Sequence, residues 1–310
     1  MLKKILYIVL GLFIALNVIL ASQAYRSTYF YEQNTIDFKY LKDKQGLEKW
    51  STILLGAKTP KRPIVDFPKT AYDTVSFTDT EGYKLEAWYV SVAASKGTVL
   101  LFHGHSSNKG MLLCEAETFQ ALGYNTLSVD ARSHGNSQGN VCTIGYNEAE
   151  QVKLAHNWAA AKGEKNIVYW GASMGASTIL RAIPLYGLKP SKVILNCPFA
   201  SMHDGVKGFL RNMNLPAEPL ATGLMAWGSV LRTSNTFNYQ PAEYAKSLKM
   251  PVLLLWGAKD NRVLRHETDL IFKNLGSSQK KLVVFEESGH QPYCKNEPEV
   301  WQESVGGFLE

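Results

Sequence analysis

The sequence has no C-x-x-C pair and no zinc-ligand rhythm; its four cysteines, Cys114, Cys142, Cys197 and Cys294, lie far apart. No metal site and no dithiol redox motif is expected. Dense basic runs with interleaved aromatics are also missing. The formal net charge of +6 comes from scattered Lys and Arg, so no nucleic-acid groove is expected. Charge is scarce overall, 19% of residues against 45% hydrophobic. That balance excludes a disordered chain and can fill a large core. An even cysteine count in an exported chain permits one or two disulfides, but spacing chooses neither a pairing nor free buried thiols.

What is present begins at the N-terminus. Lys3 and Lys4 precede an apolar run from Ile5 to Ala21 broken only by Gly11 and Asn17. Its length falls between a signal-peptide core of ~7–15 residues and a comfortable span of ~20. Residues 1–24 therefore read as a signal or a membrane anchor. Ser22-Gln23-Ala24 would suit cleavage; Tyr25, Tyr29, Phe30 and Tyr31 would suit an interfacial aromatic belt. The leading lysines favour a cytoplasmic N-terminus with the body on the other side, and Arg26 weakly opposes that. Two localisations follow: anchored by a single N-terminal segment with the main domain outside the cytoplasm, or exported with cleavage near Ala24. A hydrophobic helix docked on the body is the bland alternative.

Residues 25–72 read as a connector that ends in the extended stretch Thr59-Pro60-Lys61-Arg62-Pro63. The main domain is expected over 73–310. Residues 74–78 and 84–90, separated by Glu81-Gly82, form an antiparallel hairpin by their β-branched and aromatic content. Buried runs at 98–103, 126–130, 166–170, 192–197, 252–256 and 281–286 then alternate with helix-compatible stretches. Alternation of this kind predicts an α/β architecture with a mainly parallel, doubly wound sheet. Between about 203 and 247 the rhythm fails: no strand appears, and Met213, Leu215, Leu220, Leu224, Met225, Trp227, Val230 and Leu231 supply apolar excess. This interval is expected to be a short helical cap over the sheet's C-terminal edge; two ordinary packing helices would read the same way.

Chemistry concentrates in three loops. Gly171-Ala172-Ser173-Met174-Gly175 follows the apolar strand residues Val168-Tyr169-Trp170 and precedes a helix-compatible stretch. A sharp strand-to-helix turn needs small neighbours around its serine and aims a helix N-terminus at developing negative charge. A serine hydroxyl needs a base, and the base an acid. Asp260 lies after the strand Pro251–Trp256, and His290 after the strand that ends near Glu286, so the order Ser, Asp, His is complete. Asp204 is the rival acid. His103 and His105 form an H-x-H pair without a recognisable third ligand, so metal is not expected.

These segments resemble the α/β-hydrolase superfamily, particularly its serine aminopeptidase and monoglyceride lipase-like group, from about Asp73 to the C-terminus. The resemblance includes His103-Gly104, the elbow, Asp260 after Trp256-Gly257, and Ser288-Gly289-His290. It also includes Asp130-Ala131-Arg132-Ser133-His134-Gly135-Asn136-Ser137, where Ser133 stands in the place of the usual glycine. It implies an oxyanion hole from the backbone N–H groups of His105 and Met174. The His105 side chain is expected to face solvent, or else to shape substrate entry, and Asp130 and His134 are expected to brace the neighbouring loop. The expected activity is cleavage of a carboxylic ester, with a lipid or acyl-thioester possible, through Ser173, His290 and Asp260. No cofactor is needed. The alternatives are a serine peptidase or amidase of the same fold, or a binding protein that has kept the fold without activity. Expected partners are a small-molecule or lipid acyl substrate and the membrane, and no nucleic acid; oligomeric state is unreadable.

Overall fold

A computed structural model describes residues 1–32 and 43–310; residues 33–42 of the expected connector lie outside the described residues. The chain opens with helix α1 (Leu2–Ser27), which runs past Ala24 without a break. Then come strand β1 (Phe30–Tyr31), helix α2 (Gly46–Leu55) and strand β2 (Thr59–Pro60), which pairs in parallel with β1.

The main sheet starts with β3 (Asp73–Thr78) and β4 (Lys84–Val90), an antiparallel pair. It continues with β5 (Thr98–Phe102), α3 (Leu113–Ala121), β6 (Asn125–Val129), α4 (Ala149–Ala161), β7 (Ile167–Ala172), α5 (Met174–Tyr186) and β8 (Lys192–Asn196). Helices α6 (Met202–Asn212), α7 (Leu220–Arg232) and α8 (Pro241–Tyr244) separate β8 from β9 (Val252–Gly257). The chain closes with α9 (Arg265–Asn274), β10 (Lys280–Phe285), α10 (Tyr293–Asn296) and α11 (Pro298–Leu309). The spatial order is β10-β9-β8-β7-β5-β6-β4-β3. From β10 to β6 the pairings are parallel, and β4 joins β6 antiparallel. The expected α/β class, parallel core and leading hairpin are all present.

Two-residue periodicity divides the strands between two cores. Leu100, Phe102, Tyr169, Val193, Leu195 and Leu254 face one side, against Val152 and Ala155 of α4 and Ile179 and Ile183 of α5. Val99, Leu101, Val168, Trp170, Ile194, Leu253 and Leu255 face the other, against Phe119 of α3 and Trp301 and Val305 of α11. Parallel strands covered on both faces need continuous apolar runs, which is why these segments do not alternate with polar residues.

The N-terminal helix has two unlike halves. Residues 1–16 are exposed, whereas Ala24 is buried. The second half lies along α7: Trp227 Nε1 donates to Asn17 Oδ1 (3.2 Å), and Arg232 Nη2 to the Tyr25 carbonyl (2.9 Å). Gly223 permits the approach, since a Cβ there would come within 2.7 Å of Leu20. Ser22, Gln23 and Arg26 donate to the carbonyls of Leu55, Ile53 and Gly56, closing the C-terminal end of α2. By length and composition α1 can cross a membrane.

Candidate active site

The strand-to-helix turn after β7 is enforced by crowding. Ser173 sits at φ 51° and ψ −113°, immediately before α5. A Cβ at Gly175 would come within 2.1 Å of the Phe102 carbonyl oxygen, and one at Gly171 within 2.7 Å of the Ala176 nitrogen. Larger residues at either place would push α5 off the sheet. A positive φ at serine costs of order 1–3 kcal/mol, and the surrounding packing holds it.

The loops after β9 and β10 bring their side chains to this serine. His290 Nε2 lies 2.9 Å from Ser173 Oγ, and His290 Nδ1 2.7 Å from Asp260 Oδ2. The other oxygen of Asp260 accepts from the backbone N–H of Arg262 (2.8 Å) and of Val263 (2.9 Å). The carboxylate is therefore fixed and acceptor-only, so Nδ1 carries the proton and Nε2 is free to accept from Ser173. Burial by itself lowers the His290 pKa. The Cys197 sulfur and the Asp260 carboxylate act the other way and raise it above the ordinary imidazole value.

Asp204 stands elsewhere. It exchanges hydrogen bonds with Ser201 at the start of α6, accepting from Ser201 Oγ (2.6 Å) and donating its N–H back (3.1 Å). Ser201 is the N-cap of α6, and Asp204 in its first turn holds the cap hydroxyl.

The segments after β5 and β6 carry the residues expected to form an oxyanion hole. His103 Nδ1–H donates to the Gly104 carbonyl (2.7 Å), and its Nε2 accepts from the Ala131 N–H (2.9 Å). His134 Nδ1–H donates to the Arg132 carbonyl (2.9 Å), and its Nε2 accepts from the Ser106 N–H (3.1 Å). Burial lowers the pKa of His103 to about 4 and of His105 and His134 to about 3. All three rings are neutral near pH 7. Asp130 accepts from the N–H of Lys109 (2.7 Å) and of Asn136 (2.9 Å) and pairs with the buried Lys109 ammonium. The expected brace at Asp130 and His134 is thus a hydrogen-bonded lattice behind the loop.

Ser133, in the place of the usual glycine, takes the left-handed conformation at φ 70°. Its hydroxyl donates to the Val141 carbonyl (2.7 Å), which offsets part of the strain.

One expectation is corrected. The His105 side chain does not face solvent: its ring packs on Phe30 at 5.2 Å and on His134 at 5.9 Å between centroids, and its Nε2 is buried. Phe30 lies 75 positions upstream in the sequence, so no local pattern announces the contact. Neither the His105 nor the Met174 backbone N–H donates to another protein group among the described residues.

Cys197, unassigned from sequence, belongs to the site's surroundings. It is buried, adopts φ 42°, and places its sulfur within 4.8 Å of the facing atoms of Asp260 and His290. Three donors this close could hold a metal ion in principle, but the 2.7 Å separation of Asp260 and His290 is that of a shared proton. Two ligands on a tetrahedral zinc stand farther apart. Cys114 on α3 and Cys294 on α10 form a disulfide, and Cys142 and Cys197 are free. The disulfide fastens the chain four residues beyond His290 to the body.

Comparison with known proteins bears on the fold that carries this arrangement. Residues 93–235 match the family described as serine aminopeptidase, S33. Protein YqkD of Bacillus subtilis (strain 168) is 25% identical over 236 residues, 74% of this chain and 76% of that one. The lysophosphatidylserine lipase ABHD12 of Macaca fascicularis is 28% identical over 224 residues, 66% of this chain. The chain spans about half the length of that relative, 53%. An esterase of Pyrococcus furiosus, in its P21 crystal form, superposes with a TM-score of 0.65 at 25% identity, covering 80% of this chain and 97% of that one. Sheet order, strand-to-helix turn and these likenesses give the chain the α/β-hydrolase fold, and it is similar to the serine aminopeptidase, S33, family.

Proposed function

We propose that the protein is a membrane-anchored serine hydrolase that cleaves carboxylic esters of apolar acyl groups. The observation that carries the reading is the continuous relay from Asp260 Oδ2 to His290 Nδ1 (2.7 Å) and from His290 Nε2 to Ser173 Oγ (2.9 Å). Ser173 Oγ attacks the ester carbonyl carbon as His290 Nε2 takes its proton. The carbonyl electrons move onto oxygen, which the N–H groups of His105 and Met174 stabilise; each such donor contributes about 3–4 kcal/mol in other enzymes. Collapse expels the alcohol, which receives the proton from His290. Water, activated by the same imidazole, then releases the acid and restores Ser173. Asp260 keeps His290 in the required tautomer throughout.

An apolar acyl group is supported by the aliphatic and aromatic content of the segment between β8 and β9, read as a cap. It is supported also by the α1 anchor and by the lipase name of a relative. A domain outside the cytoplasm is favoured by the leading lysines of the anchor, and a disulfide is at home in that compartment. The family description favours a second reading, hydrolysis of an aminoacyl amide. Turnover of p-nitrophenyl esters from C2 to C16 beside aminoacyl-p-nitroanilides, by the full chain in detergent, separates the two. Ester turnover rising with chain length is expected. Amide turnover exceeding every ester would replace the esterase reading with the peptidase one.

A further inference from the structure

We propose that Phe30, delivered by the end of the membrane helix, is a positioning residue that holds both halves of the oxyanion hole in register. The inference rests on the Ser173 reading above.

Phe30 is 1% exposed. Its ring lies 4.5 Å from that of His134 and 5.2 Å from that of His105. It also belongs to one buried cluster with Ala131, Cys142 and Met174. Of the two residues proposed to supply the oxyanion N–H groups, His105 therefore packs on the Phe30 ring and Met174 shares its buried cluster, in contact with Cys142. His134, the third partner, accepts the N–H of Ser106, and Ser106 sits at φ 58°, just beyond His105. A non-glycine residue in that region relaxes unless its neighbours hold it.

Phe30 is itself held from the chain. Its N–H donates to the Asn140 carbonyl (2.7 Å), and Asn140 Nδ2 donates to its carbonyl (2.7 Å). Cys142 N–H donates to the Thr28 carbonyl (3.0 Å), and Arg232 Nε to Thr28 Oγ1 (2.7 Å). The final turn of α1, β1 and α7 therefore form one unit behind the hole. At about 1.5 Å rise per residue, Ser27 lies only ~15 Å along the helix from Asn17. Loss of the segment through Ala24 would remove the Asn17 and Leu20 contacts with α7 and leave Phe30 on a frayed end. Anchoring and oxyanion geometry are coupled, and the retained helix is the competent form.

The two donors must meet one oxygen within tenths of an ångström, so loosening their common support lowers kcat more than substrate binding. The test is the full chain in detergent micelles, with active sites counted by stoichiometric fluorophosphonate titration and turnover expressed per titrated site. Phe30→Ala is expected to lower kcat per site by ~10- to 100-fold, below the ~10²–10³ of a deleted donor, with KM changed less than about 3-fold. Phe30→Leu, which restores most of the volume, should fall between the two. A purely structural role would lower the melting temperature and the number of active sites but leave kcat per site intact, and that result would overturn the inference. Should Phe30→Ala fail to fold, Phe30→Leu decides alone: reduced kcat per site supports the brace, and wild-type kcat overturns it. Ester turnover that persists in Ser173→Ala would sink the serine reading, a different failure from wild-type kcat per site in the Phe30 variants.

Discussion

The proton-relay side and the oxyanion side of the site are built on opposite plans. Ser173, Asp260 and His290 each stand at the C-terminal end of a different strand, β7, β9 and β10. Each is positioned by its own turn. The oxyanion side leans on Phe30, from a segment outside the main sheet. One side is specified locally, strand by strand, and the other only when distant pieces of chain meet. Substitutions should therefore act in unlike ways: abrupt on the relay, graded on the brace.

The largest expected effect breaks the relay. Ser173→Ala should lower kcat by ~10⁴- to 10⁶-fold without unfolding the protein, read by ester turnover and by melting temperature. Asp260→Asn follows at ~10³- to 10⁴-fold. His290 must be neutral to act as base, and its pKa is raised, so the acid limb of kcat/KM should lie above pH 6.5 in the wild type. The limb should move down in Asp260→Asn. Asp204→Asn should alter kcat by less than about 3-fold, since that side chain only holds the Ser201 hydroxyl at the start of α6. A large kcat loss there with little at Asp260 would reverse the assignment.

How much of this contrast could be read from sequence follows from the same difference. The elbow was legible because Gly171 and Gly175 answer contacts made by β5 and α5, and the motif carries those contacts in five residues. Buried strands were legible because double coverage leaves continuous apolar runs. Helix α2 was not, because its C-terminal carbonyls are satisfied by Ser22, Gln23 and Arg26, some 30 residues earlier. The same blindness hid Phe30 against His105. The pairing of Cys114 with Cys294 spans 180 residues, and neither cysteine has a local signature for the other.

Smaller effects sharpen the comparison. Reduction of Cys114–Cys294 frees the loop that follows His290 and should lower stability by ~2–5 kcal/mol, read as a fall in melting temperature with dithiothreitol. A melting temperature unchanged on reduction would show that the loop is held without it. On the oxyanion side, His103, His105 and His134 bind protons more weakly folded than unfolded. Their contribution is fully present above pH ~6.5, the unfolded value, and is lost as pH falls towards 4 and 3. Urea midpoints should therefore fall between pH 6.5 and 4, and replacing His134 by Asn should flatten that slope. An unchanged slope would mean that these rings are not the groups that take up protons.

The central claim is that Ser173 is a nucleophile activated by His290. Labelling the full chain with a fluorophosphonate and mapping the adduct by peptide mass spectrometry tests it most directly. The account predicts one adduct, on Ser173, absent in Ser173→Ala and slowed by at least ~10³-fold in His290→Ala. A folded wild-type protein that takes no label, or takes it on another residue, would contradict it.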